Sequence, residues 1–374
     1  MSSSVASLEG EGASIPEDPV PPTKRKKSDQ PEPDFTFTCT QVWRRWLDQN
    51  INTLVVGKMF ADQAEADVIL GTDTGNIIVI NSNKKDVVLD TKADAIQTLL
   101  LHDVTRLGGS ELLAGDSQGT IITFCREQIL SKQSFGSSVK CLEVYFDALN
   151  GFEVVSGDMT GVITAFLPHW RLWRTSLYDE TFKLPRAYLN DTDDPAIRCL
   201  LSVILPDAHG VDTHFILACD GSPYVHFLQK GTLTKSLELP CLINCMCYGY
   251  FVESTSPQKP HQVALGGNDG NVYILEDFKV RKLMNIDHPV TNVKRLKMEG
   301  TTDVLLCTGH MNGAQLYKDG RLIHQIETDD WIHGVGIGDI DKDGADEIAF
   351  SLLNNEVLVY KYRHSVGPVH MFEA

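Results

Sequence analysis

The feature of this 374-residue chain that most narrows its fold is a short pattern written seven times. Each copy is an apolar triplet, a small residue, three variable residues, a turn residue and a second apolar run. The copies span residues 68–80, 112–124, 154–166, 215–227, 263–275, 306–317 and 348–360, the fourth being the least regular. Each reads as two strands joined by a tight turn, because Gly, Asn and Asp at the turn tolerate positive φ. The turn anchors are Gly75, Gly119, Gly161, Ser222, Gly270, Gly313 and Asn355. They lie 42–48 residues apart except for one interval of 61, between Gly161 and Ser222. A four-stranded propeller blade takes roughly 40–50 residues. The spacing therefore predicts seven blades and an insertion in the long interval.

The other two strands of each unit are also legible. Residues 52–57, 96–100, 139–144, 197–200, 290–293 and 332–335 precede hairpins as inner strands, and 86–89 follows one as an outer, more polar strand. Four places before each anchor stands Gly, Gly, Gly, Ala, Gly, Gly or Ser, where a larger side chain is expected to collide with neighbouring backbone. A spare strand at 35–46 would close the last blade from the opposite end of the chain, removing an open sheet edge. Residues 367–372 compete for the same place. The fold expected is all-β, a seven-bladed β-propeller over residues 35–374, behind a disordered N-terminal tail of residues 1–34 rich in Ser, Gly, Glu and Pro.

With 42% hydrophobic residues the chain can bury a substantial core. A formal charge of −17 argues against a broad nucleic-acid surface. There is no apolar run of about 18 residues and no secretory signal at the N-terminus, so membrane insertion is not expected and a cytoplasmic or nuclear location is. Nine cysteines, scattered mostly in strands, suit reduced thiols. Cys241, Cys245 and Cys247 lack a second metal-binding pair and read as structural. Within the tail, Lys24, Arg25, Lys26 and Lys27 form a basic run that an import receptor can read as a nuclear-localisation signal, or that is simply a solvated cluster.

One stretch carries metal-ligand grammar. In residues 338–347, Asp339, Asp341 and Asp343 alternate, Gly344 lets the backbone bend, and Glu347 follows at the ninth place. Alternating carboxylates before a glycine suit a hard cation such as Ca2+. The twelfth residue is Phe350 and the flanks are β-like, so this is a loop between strands and not an EF-hand. The pattern D-x-D-x-D-G-x-x-E resembles the FG-GAP repeat of integrin α-subunit propellers and their intracellular relatives. The resemblance implies a blade with its cation loop between the first and second strands. Among intracellular members it is similar to the KICSTOR-type propellers, kaptin and the integrin-α FG-GAP-repeat-containing scaffold, whose outer strands carry a tryptophan where this chain has Trp46. Ciliary coat propellers share these features. The resemblance implies a non-enzymatic subunit of a nutrient-signalling complex. Stretches 102–109 and 297–300 read as having lost the carboxylates, so the expectation is a single structural site that holds calcium, holds magnesium or stands empty.

The long interval supplies the candidate partner surface. Trp170, Trp173, Arg174, Tyr178, Phe182, Arg186 and Tyr188 combine aromatic and arginine side chains, the composition of protein-binding hot spots. The alternative for Trp170 and Trp173 is packing on an outer strand. A second insertion at 253–261 reads as an exposed loop tip. Catalytic motifs are missing from the sequence, and the turn aspartates Asp73, Asp116, Asp158, Asp220 and Asp269 read as turn formers. The function expected is a protein-interaction scaffold within a multi-subunit complex. A nuclear adaptor comes second, and an enzyme with its site in the central channel third.

Overall fold

A continuous apolar strand is buried on both faces only where other sheets stack on either side of it. The second strand of five blades meets this condition at every residue, as in Asp67–Thr72 and Glu347–Leu352. The computed structural model describes residues 35–59, 66–81, 86–147, 151–178, 194–206, 211–253 and 262–366. Among these it has twenty-eight strands in seven four-stranded antiparallel sheets and no helix.

The first strand, β1 (Phe35–Trp46), belongs to the last sheet. Blade one is β2 (Ile51–Gly57), β3 (Asp67–Thr72), β4 (Asn76–Ile80) and β5 (Asp86–Asp90). Blade two is β6 (Ile96–His102), β7 (Glu111–Asp116), β8 (Thr120–Cys125) and β9 (Gln128–Ser134). Blade three is β10 (Val139–Asp147), β11 (Gly151–Asp158), β12 (Val162–Leu167) and β13 (Trp170–Ser176). Blade four is β14 (Cys199–Pro206), β15 (Asp212–Cys219), β16 (Tyr224–Gln229) and β17 (Thr232–Glu238). Blade five is β18 (Ile243–Gly249), β19 (Gln262–Gly267), β20 (Asn271–Glu276) and β21 (Lys279–Asn285). Blade six is β22 (Val290–Leu296), β23 (Val304–Gly309), β24 (Gly313–Lys318) and β25 (Arg321–Glu327). Blade seven is β26 (Ile332–Gly338), β27 (Glu347–Leu352), β28 (Glu356–Val366) and β1.

The inner strands touch in sequence, and β26 returns to β2, so the sheets form a closed seven-bladed propeller. Closure falls to the N-terminal candidate: β1 pairs with β28, with Thr36 and Ser365 hydroxyls 2.6 Å apart and Phe37 stacked on Tyr362. Residues 367–372, the rival strand, lie outside the described residues, as do the tail 1–34 and most of both insertions.

In four repeats the small residue has a different cause from the one expected. A Cβ at Gly71 would lie 2.6 Å from Ile96 Cγ2 and 2.7 Å from Thr53 Cγ2. At Gly115 the obstacles are Val139 and Thr98, at Gly157 Ile197 and Cys141, and at Gly266 Cys245 and Val290. What fills the space is therefore side chains: a branched residue opening the inner strand of the next blade, and a small residue from the blade's own inner strand. Only at Gly309 is the nearest obstacle backbone, the Pro289 carbonyl at 2.7 Å. Gly71, Gly115, Gly157 and Gly266 are thus sockets into which the following blade is keyed. The same geometry explains Cys141 and Cys245, which occupy the inner-strand place that Thr53 and Thr98 fill elsewhere. Burial raises both thiols well above their ordinary value.

The turn aspartates act as the sequence suggests. Asp116 Oδ1 accepts from Gln118 and Thr120 amides, and Asp158 Oδ1 from Thr160 and Val162 amides. Asp220 and Asp269 do the same for Ser222 and Asn271. Asp73 instead accepts from the Asn50 side chain.

Candidate functional site

Because each sheet runs antiparallel, the loops joining first to second strands gather at one end of the ring and the second-to-third turns at the other. The acidic loop lies at the first end, between β26 and β27. Its residues do not merely line up for an ion; they satisfy the loop's own amides. Glu347 is fully buried, and its Oε2 accepts from the Ile340 amide at 2.8 Å and the Asp341 amide at 3.2 Å. Asp339 Oδ2 accepts from Gly344 N at 3.2 Å, across the bend that Gly344 makes at φ 86°. Asp343 Oδ1 accepts from Ala345 N.

Asp339, Asp341 and Glu347 each offer an oxygen within 4.8 Å of the others, a donor set suited to a hard divalent cation. Asp339 Oδ1 and Glu347 Oε1 take no hydrogen bond within the protein. A cation is nevertheless already present in this cluster. Lys361, directly opposite Glu347 in the β27–β28 register, places Nζ 2.6 Å from Asp341 Oδ2, in contact with Asp343 Oδ2, and 3.4 Å from Glu347 Oε1. Bonds to Asp341 and then Asp343 raise the ammonium's affinity for its proton, and the bond to Lys361 lowers the Asp343 carboxyl. Burial, the largest influence on Glu347, raises its carboxyl. Of the four metal candidates, the structure brings Asp339, Asp341 and Glu347 together and turns Asp343 to the lysine.

The other blades have kept more of this loop than their sequences suggest. In blade two, Asp103 Oδ2 accepts from Gly108 N and Asp103 Oδ1 from Leu107 N, while Glu111 accepts from the Thr105 amide and hydroxyl. Asp103 and Glu111 stand in the same places as Asp339 and Glu347, so the expectation that this stretch had lost its carboxylates is corrected. A buried acceptor precedes the second-strand triplet in six blades: Asp67, Glu111, Glu153, Gln262, Asp303 and Glu347. Aligning the repeats on that triplet, instead of on the aspartate run, reveals the position.

The predicted partner residues divide. Trp173 is tied down: its Nε1 donates to buried Glu153 at 2.7 Å, and its ring lies where a Cβ on Gly231 of blade four would be. Tyr178 donates to Asp220 Oδ2 at 2.9 Å and covers Gly161. Trp170, 61% exposed, and exposed Arg174 lie free of the core on outer strand β13. Phe182, Arg186 and Tyr188 lie outside the described residues, as do Lys24, Arg25, Lys26 and Lys27.

At the opposite end of the ring the inner strands carry a feature the repeat reading missed. Six of them slip register by one residue, at Asn52, Gln97, Lys140, Asn244, Thr291 and His333, and Arg198 holds the matching place in blade four. All seven are polar. They bind one another's strands: Arg198 donates to Asn244, Asn244 to the Val290 carbonyl, and His333 Nε2 to the Asn52 carbonyl at 2.6 Å. Arg198, Asn244 and His333 thus spend donors within the ring. A serine–histidine–aspartate line also exists, with His226 Nδ1 2.9 Å from Ser236 Oγ and Nε2 3.6 Å from Asp220 Oδ2. Its imidazole is 1% exposed, so no substrate reaches it.

The fold is similar to known structures at low sequence identity. BBS1N, crystallised in complex with ARL6DN and soaked with mercury, matches with a TM-score of 0.67 and 9% identity, over 89% of this chain and 99% of that one. The WD40 β-propeller domain of Doa1 matches with a TM-score of 0.61 and 11% identity, over 87% of this chain and 97% of that one. No family model and no curated protein matches the sequence.

Proposed function

We propose that this chain is a non-enzymatic scaffold that recruits protein partners through the rim of blade three. The observation that carries this reading is β13, an outermost edge strand that presents Trp170, Leu172 and Arg174 to solvent and leads into the insertion at 179–193. Aromatic and arginine side chains are the residue types that dominate protein-binding hot spots. A stack of sheets keyed together by glycine sockets holds such a surface still, which limits the ordering cost of association. That BBS1N was crystallised with ARL6DN supports the reading by analogy of fold. The FG-GAP-like loop supports the narrower proposal of a subunit in a multi-protein signalling complex. The test is affinity purification with mass spectrometry, comparing the intact chain with two variants. One carries Trp170→Ala with Arg174→Ala, and the other replaces residues 179–193 by a Gly-Ser linker. The expected result is loss of the same co-purifying proteins from both. An unchanged partner set, with both variants folded, would remove the proposal.

A further inference from the structure

We propose that Lys361 is the resident cation of the acidic loop, so that blade seven is held by a tethered ammonium and does not depend on a divalent ion. Carboxylates that converge repel one another unless positive charge lies among them. Here that charge comes from the third strand of the same sheet. Lys361 stands opposite Glu347, and its Nζ reaches Asp341, Asp343 and Glu347 together. A calcium ion at the oxygens of Asp339, Asp341 and Glu347 would face this ammonium across a few ångströms, and like charges at that distance exclude each other.

A second, independent observation points the same way. Every other blade that keeps the buried acceptor at the start of its second strand supplies a donor of its own. Asp67 takes the Met59 amide, Glu111 the amide and hydroxyl of Thr105, and Glu153 the indole of Trp173. Asp303 takes the Tyr250 and Met298 amides and ion-pairs with Arg295 at 2.7 Å. In blade five the acid is replaced outright by Gln262, which accepts from the Phe251 and Val252 amides and donates to the Val252 carbonyl. The repeat thus solves one problem, a buried acceptor under a loop, with protein groups each time. In blade seven Glu347 takes the Ile340 and Asp341 amides in the same way, and Lys361 is added where the loop carries the most carboxylates.

The experiment is a calcium titration of the full chain, read by isothermal calorimetry and by thermal unfolding in EDTA, 1 mM magnesium and 1 mM calcium (concentrations on the order of those at which weak sites fill). The intact chain is expected to melt at the same temperature, within about 1 °C, in all three and to show no calcium binding tighter than about 1 mM. Lys361→Met removes the charge and keeps the length. This variant is expected to melt several degrees lower in EDTA, to regain most of the loss in calcium, and to bind calcium at least about tenfold more tightly than the intact chain. Lys361→Arg, which keeps the charge, should remain indifferent to calcium. Calcium binding or stabilisation in the intact chain equal to that of Lys361→Met would overturn the proposal, and that measurement does not require the variant to fold. A Lys361→Met chain that gains no calcium affinity would overturn it as well, because the ammonium would not then be what occupies the site.

Discussion

Gly71 offers a direct measurement of how one blade is keyed into the next. In Gly71→Ala the new methyl would sit 2.6 Å from Ile96 Cγ2, 2.7 Å from Thr53 Cγ2 and 2.9 Å from Ile96 Cβ. Carbon atoms rest about 3.5–4 Å apart, so all three contacts must open. Overpacking of this kind costs about 1–3 kcal/mol. The entropy removed from the unfolded chain returns about 0.4–1 kcal/mol. The net loss should therefore be roughly 1–2 kcal/mol, seen as a lower urea midpoint at unchanged slope. Ile96→Ala alone should cost about 2–5 kcal/mol, because it empties a fully buried site. Combined, the two changes share one volume, and the double variant should be at least about 1 kcal/mol more stable than the sum of the single losses predicts. Additivity within about 0.5 kcal/mol would show that Gly71 is not a socket for Ile96 and would refute the keyed-blade account.

Two further outcomes follow from single sites. Glu143, on inner strand β10, has its carboxyl pushed up by burial to about 7, above its unfolded value of about 4.3. The unfolded chain gives up this proton first, so the stability that neutral Glu143 allows is complete below about pH 4.3 and is lost as pH rises through 7. Urea midpoints between pH 4.5 and 7.5 should fall more for the intact chain than for Glu143→Gln, and equal slopes would contradict the assignment. Separately, replacing Lys24, Arg25, Lys26 and Lys27 by alanine should move a fluorescently tagged chain from nucleus to cytoplasm, and an unaltered distribution would show that the run is no import signal.

Blade number was readable in the residues because the middle strands are buried on both faces, which forces an uninterrupted apolar triplet at each repeat. The small residue after each triplet was equally visible, but the cause of the glycines was not. Gly71 answers to Ile96, a residue of the following sheet, and no local pattern links them. The acidic loop of blade seven stands out because three aspartates alternate. Its counterpart at Asp103 and Glu111 is obscured by Thr105 and Leu107, which replace the middle carboxylates while the backbone bonds remain. Lys361 was overlooked for a related reason: it meets Glu347 only through strand register, fourteen positions along the chain. Trp173 and Tyr178 have the composition of a binding surface, yet Glu153 on β11 and Asp220 in the turn after β15 claim their polar atoms.

The pairing of β1 with β28 has a consequence for biosynthesis. Among the described strands the first to be synthesised pairs with the last, with Thr36 and Ser365 separated by 329 positions. At about 5–20 residues per second, Phe35–Trp46 spends roughly 16–66 s without its sheet. During that interval six blades can assemble while the seventh cannot, and a nascent chain truncated before Glu356 leaves β1 an orphan edge open to pairing with other chains.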